Sequence, residues 1–384
     1  MFDETLIARA REMVPLLAAR EVATNASREV SEETIDTFRS AGFFRVLQPR
    51  RFGGLQGSFG TFSRIVEELA MGCSSSAWVY AVLGEHQWII ACFPERAQED
   101  VWQCEPAAVA SSSLVPRAEA SAVPGGWLLS GKFPFSSGSR HAQWAIIGAF
   151  AAAAGGTRHV RYNLIPMSDL QRMDDWQVLG LRGTGSQSLL AKDVFVPEYR
   201  SVALDALNSG DTPGRSVHPD YPLLAAPRDY LVPFSLPPVM FSLARRAFDL
   251  VVPMLREKVM RASLRAAESE TIQIRLAETA AAIDAAQRTL NSGRAHAVAR
   301  VESRVPITME ERLRARRDIV YAQQTLRRSV ETICDMAGTH WVYDASPLQA
   351  ILRDVLTIST HSVANPLLAM APYGRHLLGV ESTA

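Results

Sequence analysis

Apolar residues recur at three- and four-residue intervals over most of the first 104 residues. This spacing places them on one face of an α-helix. The runs that show it are "ETLIARAREMVPLLAAREVA", "SEETIDTFRSAGFFRVL", "FGTFSRIVEELAMG" and "SSSAWVYAVLGEHQWIIACF". The pattern therefore predicts an N-terminal α-helical domain over residues 1–105.

The spacing changes in the next hundred residues. Short apolar runs, such as "WLLSGKF", "WAIIGAF", "RYNLIP" and "LAKDVFVP", are separated by glycine-rich turn signals. Short apolar segments between turn formers are typical of β-strands. We expect a middle β domain over 106–205. Residues 206–232 are rich in Pro, Gly and Asp without a clear period, so we expect a long connecting loop there.

From residue 233 to 384 the helical period returns in four segments, near 234–266, 269–300, 308–337 and 346–373. Long helices with short connections predict a C-terminal four-helix bundle.

Residue types at the helix starts support this interpretation. Thr308 with Glu311 predicts a capping box, and Ser346 with Gln349 predicts a second one, with Pro347 at the first helical position.

The last predicted helix contains a histidine, His361, five residues before Pro366. A proline removes an amide donor and clashes with the carbonyl four residues earlier, here Ser362. We therefore expect this helix to bend beside His361. An interior imidazole must find partners for both nitrogens, which favours a functional role for it.

Charge and composition exclude several classes of function. Lys+Arg and Asp+Glu both number 40 in 384 residues, and no basic stripe stands out, so we expect no nucleic-acid partner. The longest uncharged apolar run, 144–154, is shorter than the roughly 20 residues of a membrane helix. The charged start lacks the apolar core of a signal peptide. These features predict a cytoplasmic protein. The four cysteines and eight histidines lack metal-ligand spacing, so we expect no metal.

Three strings resemble motifs of the acyl-CoA dehydrogenase-like flavoproteins. "GKFPFSSGSRHAQWAIIGA" and "LGLRGTGSQSLLAKDVFVPEYR" are similar to two β-domain motifs that contact the flavin, and "DMAGTHWVYDASPLQAILRD" is similar to a flavin-phosphate loop. The resemblance implies a mainly α, α+β fold with an N-terminal helical domain, a β-barrel domain and a C-terminal four-helix bundle, in the order that the periodicity predicts.

One segment separates two branches of this superfamily. In "RDVLTISTHS", His361-Ser362 stands where many of the dehydrogenases carry Tyr-Glu, whose glutamate is their base. A histidine here resembles the group D two-component flavin-dependent monooxygenases, the oxygenase components similar to 4-hydroxyphenylacetate 3-hydroxylase. "SSAWV", "LGEHQW" and "ASSSLVP" also resemble that group. The implied activity is hydroxylation of an aromatic, phenolic or polycyclic, substrate with reduced flavin and O2 through a flavin C4a-hydroperoxide.

The resemblance also implies residue roles. Trp78 matches an aromatic residue near the flavin ring, His86 a histidine that contacts the substrate's phenolic oxygen, and Ser112 a serine that lines the same pocket. Ser137 matches the serine that bonds flavin N5, and His361 a second active-site histidine.

Serine runs leave two of these assignments open by one residue. Ser136 is an alternative to Ser137, and positions 111 and 113 are alternatives to Ser112. Gly338, Thr339 and Arg261 are expected to contact the flavin phosphate, with Lys258 and Arg265 nearby.

The resemblance implies partners as well. A separate NAD(P)H-dependent reductase would supply the flavin, and bundles would pack into a homotetramer. No clear adenine-binding pattern is present, which favours reduced FMN over reduced FAD.

Three alternatives remain open on the sequence: an acyl-CoA dehydrogenase with a displaced base, such as Glu268 or Glu270, a nitrogen- or sulfur-oxidising monooxygenase of the same fold, and a non-catalytic flavin-binding protein.

Overall fold

The computed structural model describes residues 2–152, 158–260 and 264–380. Arg261, expected to contact the flavin phosphate, lies outside the described residues. The chain divides into two compact units. Unit 1 contains Met1–Gln177, Arg182–Ser235 and Val298–Pro306. Unit 2 contains Val178–Leu181, Leu236–Ala297 and Ile307–Ala384.

Unit 1 begins with helices, as the periodicity predicts. They are α1 (Glu4–Glu12), α2 (Val14–Ser27), α3 (Glu32–Ser40), α4 (Phe59–Ala70), α5 (Ser74–Ala91) and α6 (Glu95–Trp102). Polar N-caps define several starts: Asp3, Ser31 and Ser58 accept hydrogen bonds from amides of the first turn.

Helix α5 lies in the core of these helices. Its Tyr80 is fully buried and packs against an aromatic cluster, with ring centroids 5.5 Å from Phe62 and 5.7 Å from Phe43. Such aromatic pairs add about 0.5–1.5 kcal/mol beyond area burial. The packing holds α5 rigidly, and this helix carries Trp78 and His86.

One eight-stranded sheet follows. Its strands are β1 (Ala110–Ser113), β2 (Glu119–Val123), β3 (Gly126–Phe133), β4 (Trp144–Ala152), β5 (Arg158–Pro166), β6 (Gln171–Arg172), β7 (Leu189–Pro197) and β8 (Ser201–Ala203). The order is β6-β7-β3-β2-β4-β5-β8, and β1 pairs with β4 in parallel. Inward side chains, including Leu129, Phe133 and Ile147, form its core.

The segment after the sheet corrects one prediction. Residues 206–232 are not an irregular loop but carry α7 (Leu204–Ser209), α8 (Pro213–Val217) and α9 (Arg228–Leu231). Pro213 stands in the first turn of α8, where its missing amide costs nothing. Gly210 ends α7 with φ +75°. The prolines and glycines therefore mark the starts and ends of short helices, and they do not prevent helix formation.

The C-terminal part is helical, as predicted. Its helices are α10 (Pro237–Glu257), α11 (Glu270–Glu302), α12 (Met309–Ala337), α13 (Pro347–Ile358) and α14 (Pro366–Leu377). Within unit 2, α12 packs against α10, α13 and α14. No helix in the described ranges is long and apolar enough to cross a membrane.

The two predicted capping boxes have different outcomes. The Thr308 box is confirmed, because its Oγ1 accepts from the amide of Glu311 at 3.2 Å and Glu311 Oε2 accepts from the Thr308 amide at 2.8 Å. The box at Ser346 is wrong, since that side chain makes no capping bond. The Gln349 amide instead donates to the carbonyl of Val342 at 3.0 Å. Proline does stand in the first turn of α13.

The predicted bend beside His361 is wrong, because the predicted final helix is divided into two helices there. Helix α13 ends at Ile358, and α14 starts at Pro366. His361 caps a short 3-10 turn over 362–364. Asn365 then caps α14, with its Oδ1 accepting from the amide of Leu367 at 2.9 Å. Pro366 therefore begins a new helix, where proline is well tolerated.

Candidate active site

His86 lies on the buried side of α5 and is 2% exposed. Its Nδ1 is 2.6 Å from the carbonyl oxygen of Ala110 on β1. A carbonyl can only accept, so Nδ1 carries the proton. Burial is the main cause that lowers the pKa of His86, to about 4. The ring is therefore neutral at pH 7, and its Nε2 offers a lone pair.

The residue before it, Glu85, is the only charged residue of α5 and is 5% exposed. Burial raises its pKa to about 7, opposed by a hydrogen bond from Ser235 and the charge of Arg228. The same Arg228 charge adds to the lowering of the His86 pKa. Its guanidinium carbon lies 5.1 Å from the ring centre of Tyr162. A titratable carboxyl, a neutral imidazole and a cation thus meet around α5 in the protein interior.

The serine run of β1 divides between its two faces, because successive side chains of a strand alternate. Ser111 Oγ donates to the carbonyl of Ser137 at 2.9 Å, and Ser113 Oγ donates to the carbonyl of Pro134 at 2.7 Å. Both hold the loop that follows β3. Ser112 lies on the opposite face, with Ala110, and its hydroxyl has no hydrogen bond within the described ranges. Among the three serines, Ser112 is the one whose hydroxyl remains available to a ligand.

Ser137 belongs to a chain of hydroxyls. It accepts from Trp78 Nε1 at 3.2 Å and shares a 2.7 Å hydrogen bond with Ser186 Oγ. Ser186 Oγ is 2.6 Å from Thr184 Oγ1. The neighbouring Ser136 is fully buried, and its hydroxyl makes only a 3.5 Å contact with the Phe133 carbonyl. The two turns predicted to contact flavin, 134–138 and 182–186, are therefore joined through Ser137.

An aromatic surface adjoins this hydroxyl chain. Phe135 is 62% exposed and adopts φ +66°, a conformation that is unusual for a bulky residue and costs on the order of 1–3 kcal/mol. Its ring meets Trp176 edge-on at 6.1 Å. The Trp176 indole donates to the carbonyl of Arg182 at 3.1 Å. Exposed aromatic faces beside hydroxyl groups fit a planar, apolar ring system with polar edge atoms, such as a flavin.

His361 lies in unit 2 and is partly exposed. Its Nδ1 accepts from the amide of Val363 at 3.3 Å. The neutral ring must then carry its proton on Nε2. Desolvation lowers the pKa of His361 to about 4. On α12, Gln323 is 1% exposed and donates from Nε2 to the Val363 carbonyl at 3.2 Å, a second hydrogen bond to the residue whose amide bonds the imidazole.

The predicted phosphate loop lies at the end of α12. Gly338 has φ +73°, and Thr339 is exposed. Lys258 Nζ donates to the carbonyl of Met336 at 2.7 Å, so it caps the helix. Arg265 donates to the carbonyl of Arg256 at 3.2 Å.

The alternative bases for a dehydrogenase, Glu268 and Glu270, are both exposed in the same unit.

Within unit 1 the structure connects three of the predicted site residues, His86, Trp78 and Ser137. The His86 contact with β1, the Ser111 contact with the loop, and the Trp78–Ser137 contact bring α5, β1 and loop 134–138 together. His361, Gly338 and Thr339 belong to unit 2.

Sequence reasoning missed several residues that shape the site. They are Ser186, Thr184, Glu85 and Arg228. The sequence could have indicated Glu85, because it is the single charged residue in an 18-residue helix. It gave no indication of Arg228, since that residue lies in the region that lacks periodicity.

Comparison with known proteins places the chain in a family. The profile of the acyl-CoA dehydrogenase N-terminal domain matches residues 1–103, and that of the C-terminal domain matches residues 237–366. The FADH(2)-dependent resorcinol hydroxylase oxygenase component of Rhizobium sp. (strain MTP-10005) is 33% identical, over 98% of this chain and 94% of its own length.

Two further relatives agree. The crystal structure of the HsaA monooxygenase from M. tuberculosis is similar with a TM-score of 0.93 and 32% identity, covering 100% of this chain and 99% of that chain. The p-hydroxyphenylacetate 3-hydroxylase oxygenase component of Acinetobacter baumannii is 27% identical, over 98% of this chain and 90% of its own length. The expected fold and class of activity, oxygenation with reduced flavin, are thereby confirmed. The chain belongs to the flavin-dependent monooxygenase oxygenase components that are built on the acyl-CoA dehydrogenase fold.

Proposed function

We propose that this chain hydroxylates an aromatic small molecule that carries a ring hydroxyl, as a single phenolic ring or within a polycyclic compound, with dioxygen and reduced flavin. The observation that carries the proposal is His86, a buried neutral imidazole whose Nδ1 is occupied by a backbone carbonyl and whose Nε2 lone pair remains. A neutral imidazole that is fixed in this way can accept a hydrogen bond from a phenolic hydroxyl at Nε2. Relatives named for hydroxylating resorcinol and p-hydroxyphenylacetate support the substrate class.

His86 accepts the substrate's hydroxyl proton at Nε2, or holds it in a hydrogen bond. Either makes the aromatic ring more electron-rich at the carbon to be oxygenated. We assign the Ser112 hydroxyl, which has no hydrogen bond within the described ranges, a contact with the same substrate oxygen. The Ala110 carbonyl keeps the proton on Nδ1, which fixes the ring's orientation as a base.

We propose that His361 donates a hydrogen bond, whereas His86 accepts one. With Nδ1 bonded to the Val363 amide, the neutral imidazole donates from Nε2. We assign it the role of a hydrogen-bond donor to an oxygen atom of the reacting groups.

Reduced flavin, when bound, supplies the activation of dioxygen. Loop 134–138 and turn 182–186 provide its surface, with Ser137 bonding the ring N5 and Phe135 covering part of the ring. Ser136 remains the alternative by one position. Gly338, Thr339 and Arg261 would hold the phosphate. We propose reduced FMN as the preferred form, with reduced FAD as the alternative, supplied by a separate NAD(P)H-dependent reductase.

The test supplies the purified chain with reduced FMN or FAD from an unrelated reductase, 18O2 and a panel of phenols. We expect one 18O atom in a ring-hydroxylated product, and nearly colourless purified protein that does not oxidise NADH alone. Tight yellow copurification with turnover of an acyl-CoA would contradict the proposal. Incorporation of 18O at nitrogen or sulfur alone would contradict the substrate class.

We further propose a homotetramer. The support is a set of exposed leucines on and after α14: Leu367, Leu368, Leu377 and Leu378. Exposed apolar clusters mark association surfaces. Light scattering should give four times the 42.1 kDa chain mass. A monomer that is still active at nanomolar dilution would contradict it.

A further inference from the structure

His141 is a buried histidine whose two ring nitrogens both face acceptors. It ends the short 3-10 turn Ser139–His141 and is 4% exposed. Its Nδ1 is 2.8 Å from Glu32 Oε2, and its Nε2 is 2.9 Å from the Val30 carbonyl. A neutral imidazole has one N–H and can donate to only one of them. Satisfying both acceptors requires the imidazolium.

The carboxyl of Glu32 is itself ionised, so it does not supply the missing proton. Its other oxygen accepts from Arg39 Nη1 at 2.7 Å, and that bond is the main cause that lowers the pKa of Glu32. Asp36 accepts from the same guanidinium at 2.8 Å. Arg39 also reaches the carbonyl of His141 at 3.4 Å. Two carboxylates and one guanidinium thus form a linked group with the His141 imidazole where α3 meets the loop after β3.

Two further contacts hold the same loop. Arg140 pairs with Glu29 at 2.9 Å, and Arg172 donates to the Ser139 carbonyl at 3.2 Å. Ser137, the residue proposed to bond the flavin, lies four positions before His141. The loop is therefore tied to the junction between α2 and α3 at its end and to β1 near its centre.

The α2–α3 junction also supports the second flavin-facing turn. A side chain at Gly183 would collide with Thr24, with its Cβ 2.4 Å from Thr24 Cγ2. A Cβ at Gly185 would lie 3.5 Å from the Arg28 carbonyl. One segment, Thr24 to Glu32, is thus packed beneath both turns that the Ser137–Ser186 hydrogen bond joins.

We propose that His141 is a positioning residue for oxygenation: its two donated hydrogen bonds fix the Ser137 loop on the α2–α3 junction, in register with turn 182–186. The inference rests on the proposed function, because it assumes that Ser137 contacts the flavin. The charged pair gives the loop a fixed position before flavin binds, and that reduces the ordering that binding would otherwise require.

Three variants test the proposal. His141→Phe leaves both acceptors without a donor, and His141→Gln keeps one donor but removes the charge. Arg140→Gln is the matched control, because Arg140 lies on the same loop, its ion pair with Glu29 is exposed and so contributes little, and His141 stays intact. Should His141→Phe not fold, His141→Gln and Glu32→Gln carry the test.

The first readout is amide hydrogen exchange in flavin-free protein. We expect exchange of peptides covering 134–141 and 182–186 to be about tenfold faster in the His141 variants, with the rest of unit 1 unchanged, and little change in Arg140→Gln. Unchanged exchange in both segments would overturn the proposal.

The second readout is the share of consumed oxygen released as hydrogen peroxide with substrate present. We expect this share of peroxide to rise about threefold or more in the His141 variants. His141→Gln should form more hydroxylated product than His141→Phe. Faster exchange without a rise in peroxide would overturn the positioning role. If Ser137→Ala also leaves peroxide unchanged, the assignment of Ser137 has failed as well, which separates the two failures.

Discussion

His86 and His361 are the same residue type with the same lowered pKa of about 4, yet their backbone partners make them opposite reagents. In unit 1 a carbonyl occupies Nδ1 of His86, which leaves Nε2 as an acceptor. In unit 2 an amide occupies Nδ1 of His361, which leaves Nε2 as a donor. The comparison shows that the backbone group bonded to Nδ1 decides whether the other nitrogen of a neutral imidazole accepts or donates.

The largest expected effect comes from removing the acceptor. In His86→Gln, the terminal amide cannot accept a proton as a base. We expect the hydroxylation rate to fall by roughly 10²–10⁴, as for a lost general base. Flavin binding should be unchanged. The control is His218→Gln, another buried histidine of unit 1, whose Nε2 bonds Gln98 Oε1 at 2.7 Å. A loss no greater than that of the control would contradict the role of His86 as the base.

Folding stability as a function of pH tests the environment of His86 and Glu85. The ordinary pKa of histidine, 6.5, falls to about 4 in the fold, so the unfolded chain binds the extra proton between these values. The contribution of His86 to stability is therefore lost as pH falls from 6.5 to 4. The ordinary pKa of glutamate, 4.5, rises to about 7 at Glu85, so its contribution is lost as pH rises from 4.5 to 7.

Urea denaturation at several pH values measures both contributions. Relative to wild type, Glu85→Gln should gain stability as pH rises from 4.5 to 7, and His86→Gln should gain stability as pH falls from 6.5 to 4. Each change has an upper size of about 3 kcal/mol, at about 1.4 kcal/mol per pH unit. Parallel curves for wild type and both variants would show that neither group is desolvated as described.

The donor role of His361 predicts a graded result. His361→Gln places an N–H₂ group near the position of Nε2, so we expect a loss of turnover within about tenfold. His361→Ala removes the donor, and we expect a loss of roughly 10- to 100-fold, the worth of about 1.5–3 kcal/mol for a charge-assisted hydrogen bond. Equal losses in both variants would indicate a proton-transfer or packing role instead.

The smallest effect concerns the hydroxyl chain. Ser137→Ala removes the hydroxyl that we propose to bond flavin N5, and that hydrogen bond is worth about 0.5–1.5 kcal/mol. The share of oxygen released as hydrogen peroxide should rise about three- to tenfold, measured with a peroxidase-coupled assay. Ser136→Ala is the control, because that hydroxyl makes only a 3.5 Å contact. A rise in Ser136→Ala but not in Ser137→Ala would shift the assignment by one residue.

Much of the fold follows from periodicity. Helices with one apolar face, such as α4 and α12, and strands with apolar runs, such as β4 and β7, are visible in the sequence. The polar strand β1, "ASSS", has no apolar alternation. It exists because its backbone pairs with β4, a tertiary effect that no local pattern contains.

The sequence supplied candidate residues for the site but not their hydrogen-bond partners. Resemblance supplied His86, Ser137 and His361, and the serine runs left their register open. Because side chains alternate along β1, Ser112 lies on the opposite face from Ser111 and Ser113. The sequence could not distinguish the three serines, since the strand itself was not predicted. The tautomers of both histidines depend on backbone atoms of Ala110 and Val363, brought close only by the fold.

Neutron diffraction of the deuterated protein near pH 7 distinguishes the two tautomers, because it locates the deuterium on each imidazole. We expect deuterium on Nδ1 and none on Nε2 of His86, and deuterium on Nε2 and none on Nδ1 of His361. The same tautomer in both rings, or two deuterons on either ring, would contradict the assignment of one histidine as acceptor and the other as donor.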